Sequence, residues 1–187
     1  MEKKGNPAVV GLAGFGLTTL LLQLHNLGFI GLGPVLAMGI MFGGLSQLIA
    51  GFQEKANGNN FGYSAFVTYG AFWIGLCIIW LCNHFNVYPS NGIEVGFYLL
   101  AFMLYTGIML IAALRIHTAM IVTFATLFLG FLLLVLEHFF FPWMKTLAAI
   151  DLIICAFAAW YMMAAEIINP LAGKEVLPLG CPLIKKN

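Results

Sequence analysis

From Gly5 to Gln53 the chain reads GNPAVVGLAGFGLTTLLLQLHNLGFIGLGPVLAMGIMFGGLSQLIAGFQ, 49 residues without an Asp, Glu, Lys or Arg. A helix needs about 20 mostly apolar residues to cross a bilayer, so this stretch holds two spans if the chain turns between them. The turn is written at Asn26–Pro34, N-L-G-F-I-G-L-G-P, where glycines crowd together and a proline closes the segment. The next uncharged run, Ala56–Ile93, is 38 residues long and breaks at N-H-F-N-V-Y-P-S-N, Asn83–Asn91. Shorter runs separate Glu94 from Arg115, Arg115 from Glu137 and Asp151 from Glu166. Together they predict an all-α integral membrane protein, a single six-helix domain over residues 1–187, with spans near 7–26, 34–52, 63–83, 95–114, 118–137 and 147–168.

Composition agrees. Of 187 residues 62% are hydrophobic and 8% charged, with a formal net charge of +1. That supply of charge, about a third of what a soluble domain carries, excludes disorder and a basic nucleic-acid-binding face. Lys3, Lys4, Lys55, Arg115, Lys174, Lys185 and Lys186 fall on one side of the predicted topology and Lys145 alone on the other. The positive-inside rule then places both termini in the cytoplasm, in an inner or plasma membrane. Lys3-Lys4 ahead of an apolar run resembles a secretory leader, but Asn6-Pro7, the length of the run and the lack of a clear cleavage site predict that it is retained. The run Phe139-Phe140-Phe141-Pro142-Trp143 is expected at the outer headgroup level.

Cys77, Cys82, Cys155 and Cys181 have no metal or redox spacing and read as small apolar residues. His25, His84 and His138 fall at outer helix ends near Glu94, Glu137 and Asp151. No pair shares one helix at i, i+4, so a metal is not expected. A proton-collecting mouth stands beside the plainer reading of interfacial polar residues. His117, beside Arg115, reads as a headgroup contact. Gly39 and Gly43 are in GxxxG register, suited to close helix approach, and some of the 21 glycines are expected to border a pore.

Polar residues inside the spans are nearly all uncharged: Thr18, Thr19, Gln23, Ser46, Gln47, Thr68, Tyr69, Tyr105, Thr106, Thr123 and Thr126. Hydroxyls often bond their own helix, whereas the Gln47 amide has four hydrogen-bonding sites that its helix cannot easily fill. Asp151 and Glu166 on the last helix are either proton carriers or interhelical bonding groups. Asn6-Pro7 reads as an N-cap followed by proline at the first helical position, leaving free N–H groups that suit a carboxylate. Nothing resembles an activated nucleophile, a phosphate loop or a cofactor motif, so an enzyme is not expected.

The segment Asn6-Pro7-Ala8-Val9-Val10-Gly11-Leu12, continuing through Gly14-Phe15-Gly16 to Leu24-His25-Asn26, resembles the signature of the acetate uptake transporter family, which includes bacterial succinate–acetate permeases. The likeness continues through Ala37-Met38-Gly39, Gly43-Gly44, Gln47, Tyr69-Gly70, Phe72-Trp73, Ala165-Glu166 and Val176-Leu177-Pro178-Leu179-Gly180. Val9 and Val10 depart from the family's usual Pro-Leu at the helix entrance. The resemblance implies a homo-hexamer of six-helix protomers, each with its own pathway for acetate and related small carboxylates, succinate in some members, with proton coupling usually proposed. It also implies a constriction at Phe15, Tyr69 and Leu127.

At 1.5 Å per residue, those three positions rise about 12, 9 and 13 Å from the inner helix ends, and Gln47 about 8 Å. They are therefore expected in one layer, with Thr18, Gln47 and Asn6 along the substrate path and His25, Glu137, Asp151 and Glu166 as candidates for handling protons. A channel for a neutral solute such as urea or a small amide is the alternative reading of the same uncharged path.

Overall fold

The structure, a computed structural model, describes residues 5–185, so Lys3, Lys4 and Lys186 of the charge count lie outside the described residues. Among the described residues six helices are long and apolar enough to cross a membrane. We label them α1 (Ala8–Asn26), α2 (Leu32–Ala56), α3 (Asn60–Phe85), α4 (Gly92–Ala113), α5 (Thr118–Phe139) and α6 (Met144–Ala172).

Helix starts follow local sequence chemistry. Asn59 accepts the Gly62 N–H at the start of α3, and Asn91 with Glu94 forms a reciprocal capping box at the start of α4. The regular part of α1 begins at Ala8, with Pro7 in the cap position rather than at the first helical one. Asn6 Oδ1 nevertheless accepts the Ala8 N–H at 3.0 Å, so its side chain still satisfies an end donor. The last helix runs past its expected end at 168. Pro170 lies inside its final turn and the helix stops at Gly173, whose φ of 66° suits a residue without Cβ. Beyond it the tail is stapled down: Asn169 Oδ1 accepts the Val176 and Leu177 N–H groups, and the Leu179 carbonyl accepts the Ala119 N–H.

Close approach through small residues brings α1 against its neighbours. A Cβ on Gly14 would lie 2.5 Å from the Phe42 carbonyl oxygen, one on Gly43 2.6 Å from Thr18 Oγ1, and one on Gly16 2.5 Å from the Trp160 ring. Phe42 and Gly43 belong to a π-helical segment, Met41–Ser46, that interrupts α2 directly before Gln47. Ser46 Oγ donates across that wide turn to the Met41 carbonyl at 3.0 Å.

Packing closes a ring. The helix α1 packs on α2 and α6, α6 on α5, α5 on α4, and α2 on α3. Side chains such as Tyr98, whose hydroxyl donates to the Phe72 carbonyl at 2.7 Å, complete the circle between α3 and α4. Large apolar residues including Phe97, Leu104, Ile108 and Ile111 of α4 cover its outside. The odd-numbered helices run in one direction and the even-numbered helices in the other.

Candidate functional site: an axial cavity between two mouths

A cavity of about 80 Å³ lies inside the ring on the half that carries both termini. Phe15 of α1, Gln47 of α2, Tyr69 of α3 and Leu127 of α5 all line it, joined by Phe124 and Met162. The Phe15 and Tyr69 rings sit 5.9 Å apart, and Tyr69 meets Tyr105 at 5.6 Å and Phe124 at 6.2 Å. Four residues distant in sequence therefore share one small, mostly apolar chamber, as the helical rise anticipates.

Hydrogen bonding divides the polar groups unevenly. The Thr106 hydroxyl donates to the Phe102 carbonyl at 2.7 Å, so the 2.8 Å bond between Tyr69 and Thr106 has the phenol as donor. The Tyr69 proton is thereby engaged away from the chamber. Gln47 is different: its Oε1 is buried without a partner. A buried, unpaired amide is costly, and it offers the one unspent polar side chain among the four layer residues. Thr18 does not join them. It is fully buried, donates weakly to the Met38 carbonyl at 3.4 Å and packs on Gly43. Of the glycines, Gly62 lines the chamber; Gly39 and Gly43 pack helices instead of bordering a pore.

The chamber opens toward the terminal end into a vestibule of about 320 Å³ that shares Ala8, Leu12, Asn59 and Met120 with it. Asn6 Nδ2 donates to Glu166 Oε2 at 2.7 Å there, and Asn59 Nδ2 to Glu54 Oε2 at 2.8 Å. Glu54, only 3% exposed, escapes a reading of the sequence because it sits beside Lys55 and looks like a solvated helix end. His117 also lines this vestibule, correcting its reading as a headgroup contact. It caps α5 by accepting the Met120 N–H on Nδ1 at 3.1 Å. Burial holds its imidazole below the ordinary histidine range, and the neighbouring Glu166 carboxylate opposes that shift in part.

At the opposite end a recess of about 250 Å³ gathers His25, Glu137, His138 and Lys145 around Leu22 and Leu76. His138 pairs with Glu137, and the His25 imidazole is within 3.0 Å of the Ile30 carbonyl. The expected wider cluster does not assemble. His84 is exposed and stacks edge-on against Phe85, Glu94 is spent on its capping box, and Asp151 does not line the recess. Asp151 instead faces Gly130 between α5 and α6, with Oδ2 buried and unpaired. No three His, Cys, Asp or Glu side chains among the described residues converge as metal ligands would.

Residues 1–177 match the GPR1/FUN34/yaaH family. The succinate-acetate/proton symporter SatP of Escherichia coli (strain K12) is 36% identical over 188 residues, covering 95% of this chain and 96% of that protein. Acetate permease A of Emericella nidulans is 35% identical over 200 residues, covering 96% of this chain and 67% of that longer protein. The solved structure of the bacterial acetate channel SatP superposes with a TM-score of 0.90 at 37% identity, over 95% of this chain and 100% of that one.

Proposed function

The chain belongs to the GPR1/FUN34/yaaH family, and from that premise we propose that it carries acetate and related short carboxylates across a cell membrane along the axis of its own helix ring. The observation that carries this reading is the chamber itself: an apolar and aromatic wall with one unpaired amide, Gln47, inside a ring completed by a single chain. A homo-hexamer then means six independent pathways. The lysine and arginine count supports the vestibule as the cytoplasmic mouth, with both termini cytoplasmic.

The wall penalises a bare carboxylate, because among the described residues no Lys or Arg lines the chamber to replace lost hydration. A proton travelling with the anion removes that cost. With glutamate's pKa of about 4.3 as a guide, about one carboxylate in five hundred is protonated at pH 7. That fraction is small but continuously renewed, and in this reading the acidic and histidine side chains at both mouths (Glu54, His117 and Glu166 at one, His25, Glu137 and His138 at the other) supply or collect protons, which their lining of the two spaces supports. Inside, Phe15, Tyr69 and Leu127 set the width, and Gln47 supplies the hydrogen bonds that water supplied outside.

The test is uptake of labelled acetate by proteoliposomes at fixed acetate concentration, with and without an inward proton gradient. Coupled transport predicts accumulation beyond what titration of the acid alone gives. Because an uncharged chamber also suits a neutral solute, urea and propionate are added as competitors. Inhibition by propionate and not by urea supports the carboxylate reading; inhibition by urea alone, or no uptake, overturns it.

A further inference from the structure

The chamber and the recess share no lining residue, although both draw residues from α1, α3 and α5. Leu12 and Phe15 of α1 line the chamber and Leu22 the recess; Tyr69 of α3 lines the chamber and Leu76 the recess; Leu127 of α5 lines the chamber and Leu134 the recess. Steps of three and four residues keep a helix face. Between the two spaces those steps give Thr18 or Thr19, Phe72 or Trp73, and Gly130 or Phe131; Thr18 packs on Gly43, Trp73 lies toward Gly39 and Gly130 packs on Leu152, which leaves Thr19, Phe72 and Phe131.

Each of the three has a property suited to a closed pathway. The Phe72 and Phe131 rings meet edge to face at 5.4 Å, joining α3 to α5, and are 6% and 4% exposed. Phe102 backs Phe72 at 4.9 Å and Tyr98 stacks on it at 5.6 Å. Thr19 is 3% exposed, and its Oγ1 has no hydrogen-bond partner. That sets it apart: Thr106, Thr123 and Thr126 each donate to a carbonyl of their own helix four residues back. A buried hydroxyl left unsatisfied on α1, between the residues of that helix that line the chamber and the recess, is suited to bond a polar group in passage.

We propose that Phe72 and Phe131 form a second closure of the pathway, one helical turn beyond the Tyr69 layer, and that the Thr19 hydroxyl is the hydrogen-bonding station for the carboxyl group crossing it. The ligand part rests on the carboxylate reading above; the closure does not. The rings part to admit a flat, small acid, so they contribute to size selection. Thr19 contributes to passage of the carboxyl group and not to size.

Two measurements test this in cells, the first without reference to any substrate. In a variant with its native cysteines replaced, Leu12→Cys or Leu76→Cys is treated with a charged, membrane-impermeant thiol reagent from outside. The closure predicts that one of the two reacts and the other does not, whichever way the protein is oriented, that Tyr69→Ala, which opens the first layer, leaves this pattern unchanged, and that adding Phe72→Ala and Phe131→Ala to Tyr69→Ala makes both react. The milder Phe131→Val replaces the pair if that variant does not fold. Reaction of both cysteines or of neither in the parent, or of both in Tyr69→Ala, overturns the closure. Second, acetate and butyrate uptake are compared. The Phe variants are expected to raise the butyrate-to-acetate ratio at least fivefold. Thr19→Val is expected to lower acetate uptake about tenfold at an unchanged ratio, with recovery in Thr19→Ser. Acetate uptake within twofold of the parent in Thr19→Val overturns the station. Absence of uptake in the parent itself overturns the carboxylate reading and the station with it, and leaves the cysteine result to decide the closure.

Discussion

The Tyr69 phenol donates its proton to Thr106 Oγ1 at 2.8 Å, and the threonine passes its own to the Phe102 carbonyl. Tyr69 therefore meets the chamber with its ring. Tyr69→Phe is expected to keep the shape of the wall, lose one buried hydrogen bond worth about 1 kcal/mol, and retain acetate uptake. Tyr69→Ala removes the ring and is expected to admit longer acids. Measuring acetate against butyrate uptake in both variants separates shape from chemistry: equal loss in the two would mean that the hydroxyl, and not the ring, matters.

Gln47 carries the opposite expectation. Its Oε1 is buried and unpaired, so Gln47→Leu relieves a desolvation penalty and is expected to leave the protein as stable or more so. Acetate uptake is expected to fall about tenfold, the equivalent of about 1.4 kcal/mol of lost interaction with the crossing substrate. A thermal midpoint measured alongside uptake distinguishes this from simple misfolding, which lowers both.

The six spans and their order are legible in the sequence, because uncharged runs and Gly/Pro breaks are strong signals that need only counting. The face that each helix turns to the axis is not, because these helices are apolar all round and their periodicity carries little information. Thr18 and Thr19 illustrate the consequence. They are neighbours about 100° apart on the helix, and only packing sets Thr18 against Gly43 and leaves the buried Thr19 hydroxyl without a partner. Phe124, one of many phenylalanines in apolar runs, is hidden for the same reason. The π segment before Gln47 has no sequence signature beyond its paired glycines, and Asp151 lies between α5 and α6, away from the mouth to which its depth alone assigns it.

The Asn6–Glu166 bond ties the first turn of α1 to the end of α6, and Asn6 caps α1 as well. Asn6→Ala removes both bonds and leaves Glu166 free in the vestibule. We expect a loss of about 1–2 kcal/mol. Glu166→Gln, which can still accept from Asn6, is expected to cost less than half as much. A double-mutant cycle on thermal stability of purified protein measures the coupling, and coupling indistinguishable from zero would mean that the bond adds nothing to stability.

Gly14 and Gly43 test the packing that positions Gln47. A Cβ on Gly43 meets Thr18 Oγ1 at 2.6 Å and its Cβ at 2.8 Å, and a Cβ on Gly14 meets the Phe42 carbonyl oxygen at 2.5 Å; none of these atoms ends a flexible side chain. Overpacking costs about 1–3 kcal/mol, so Gly14→Ala and Gly43→Ala are both expected near the top of that range. Thermal midpoints in detergent measure the two, and no loss in either would show that its neighbour yields.

His117 makes stability depend on pH in a definite direction. Its pKa in the fold lies below the ordinary value of about 6.5, chiefly through burial. The unfolded chain therefore binds more protons between the two values. The stabilisation from the neutral ring is complete above about pH 6.5 and is lost as pH falls toward the lowered value. Protonation at Nδ1 also removes the acceptor that caps α5 at the Met120 N–H. His117→Asn keeps a capping oxygen and has no proton to gain. Thermal midpoints recorded from pH 7.5 down to pH 5 are expected to fall for the parent and to fall less for His117→Asn. Glu54 and Glu166 face the same vestibule in both proteins, so the difference between the two curves reports His117. Parallel curves for parent and variant across the whole range would show that His117 stays neutral, or charges without cost, in the folded protein.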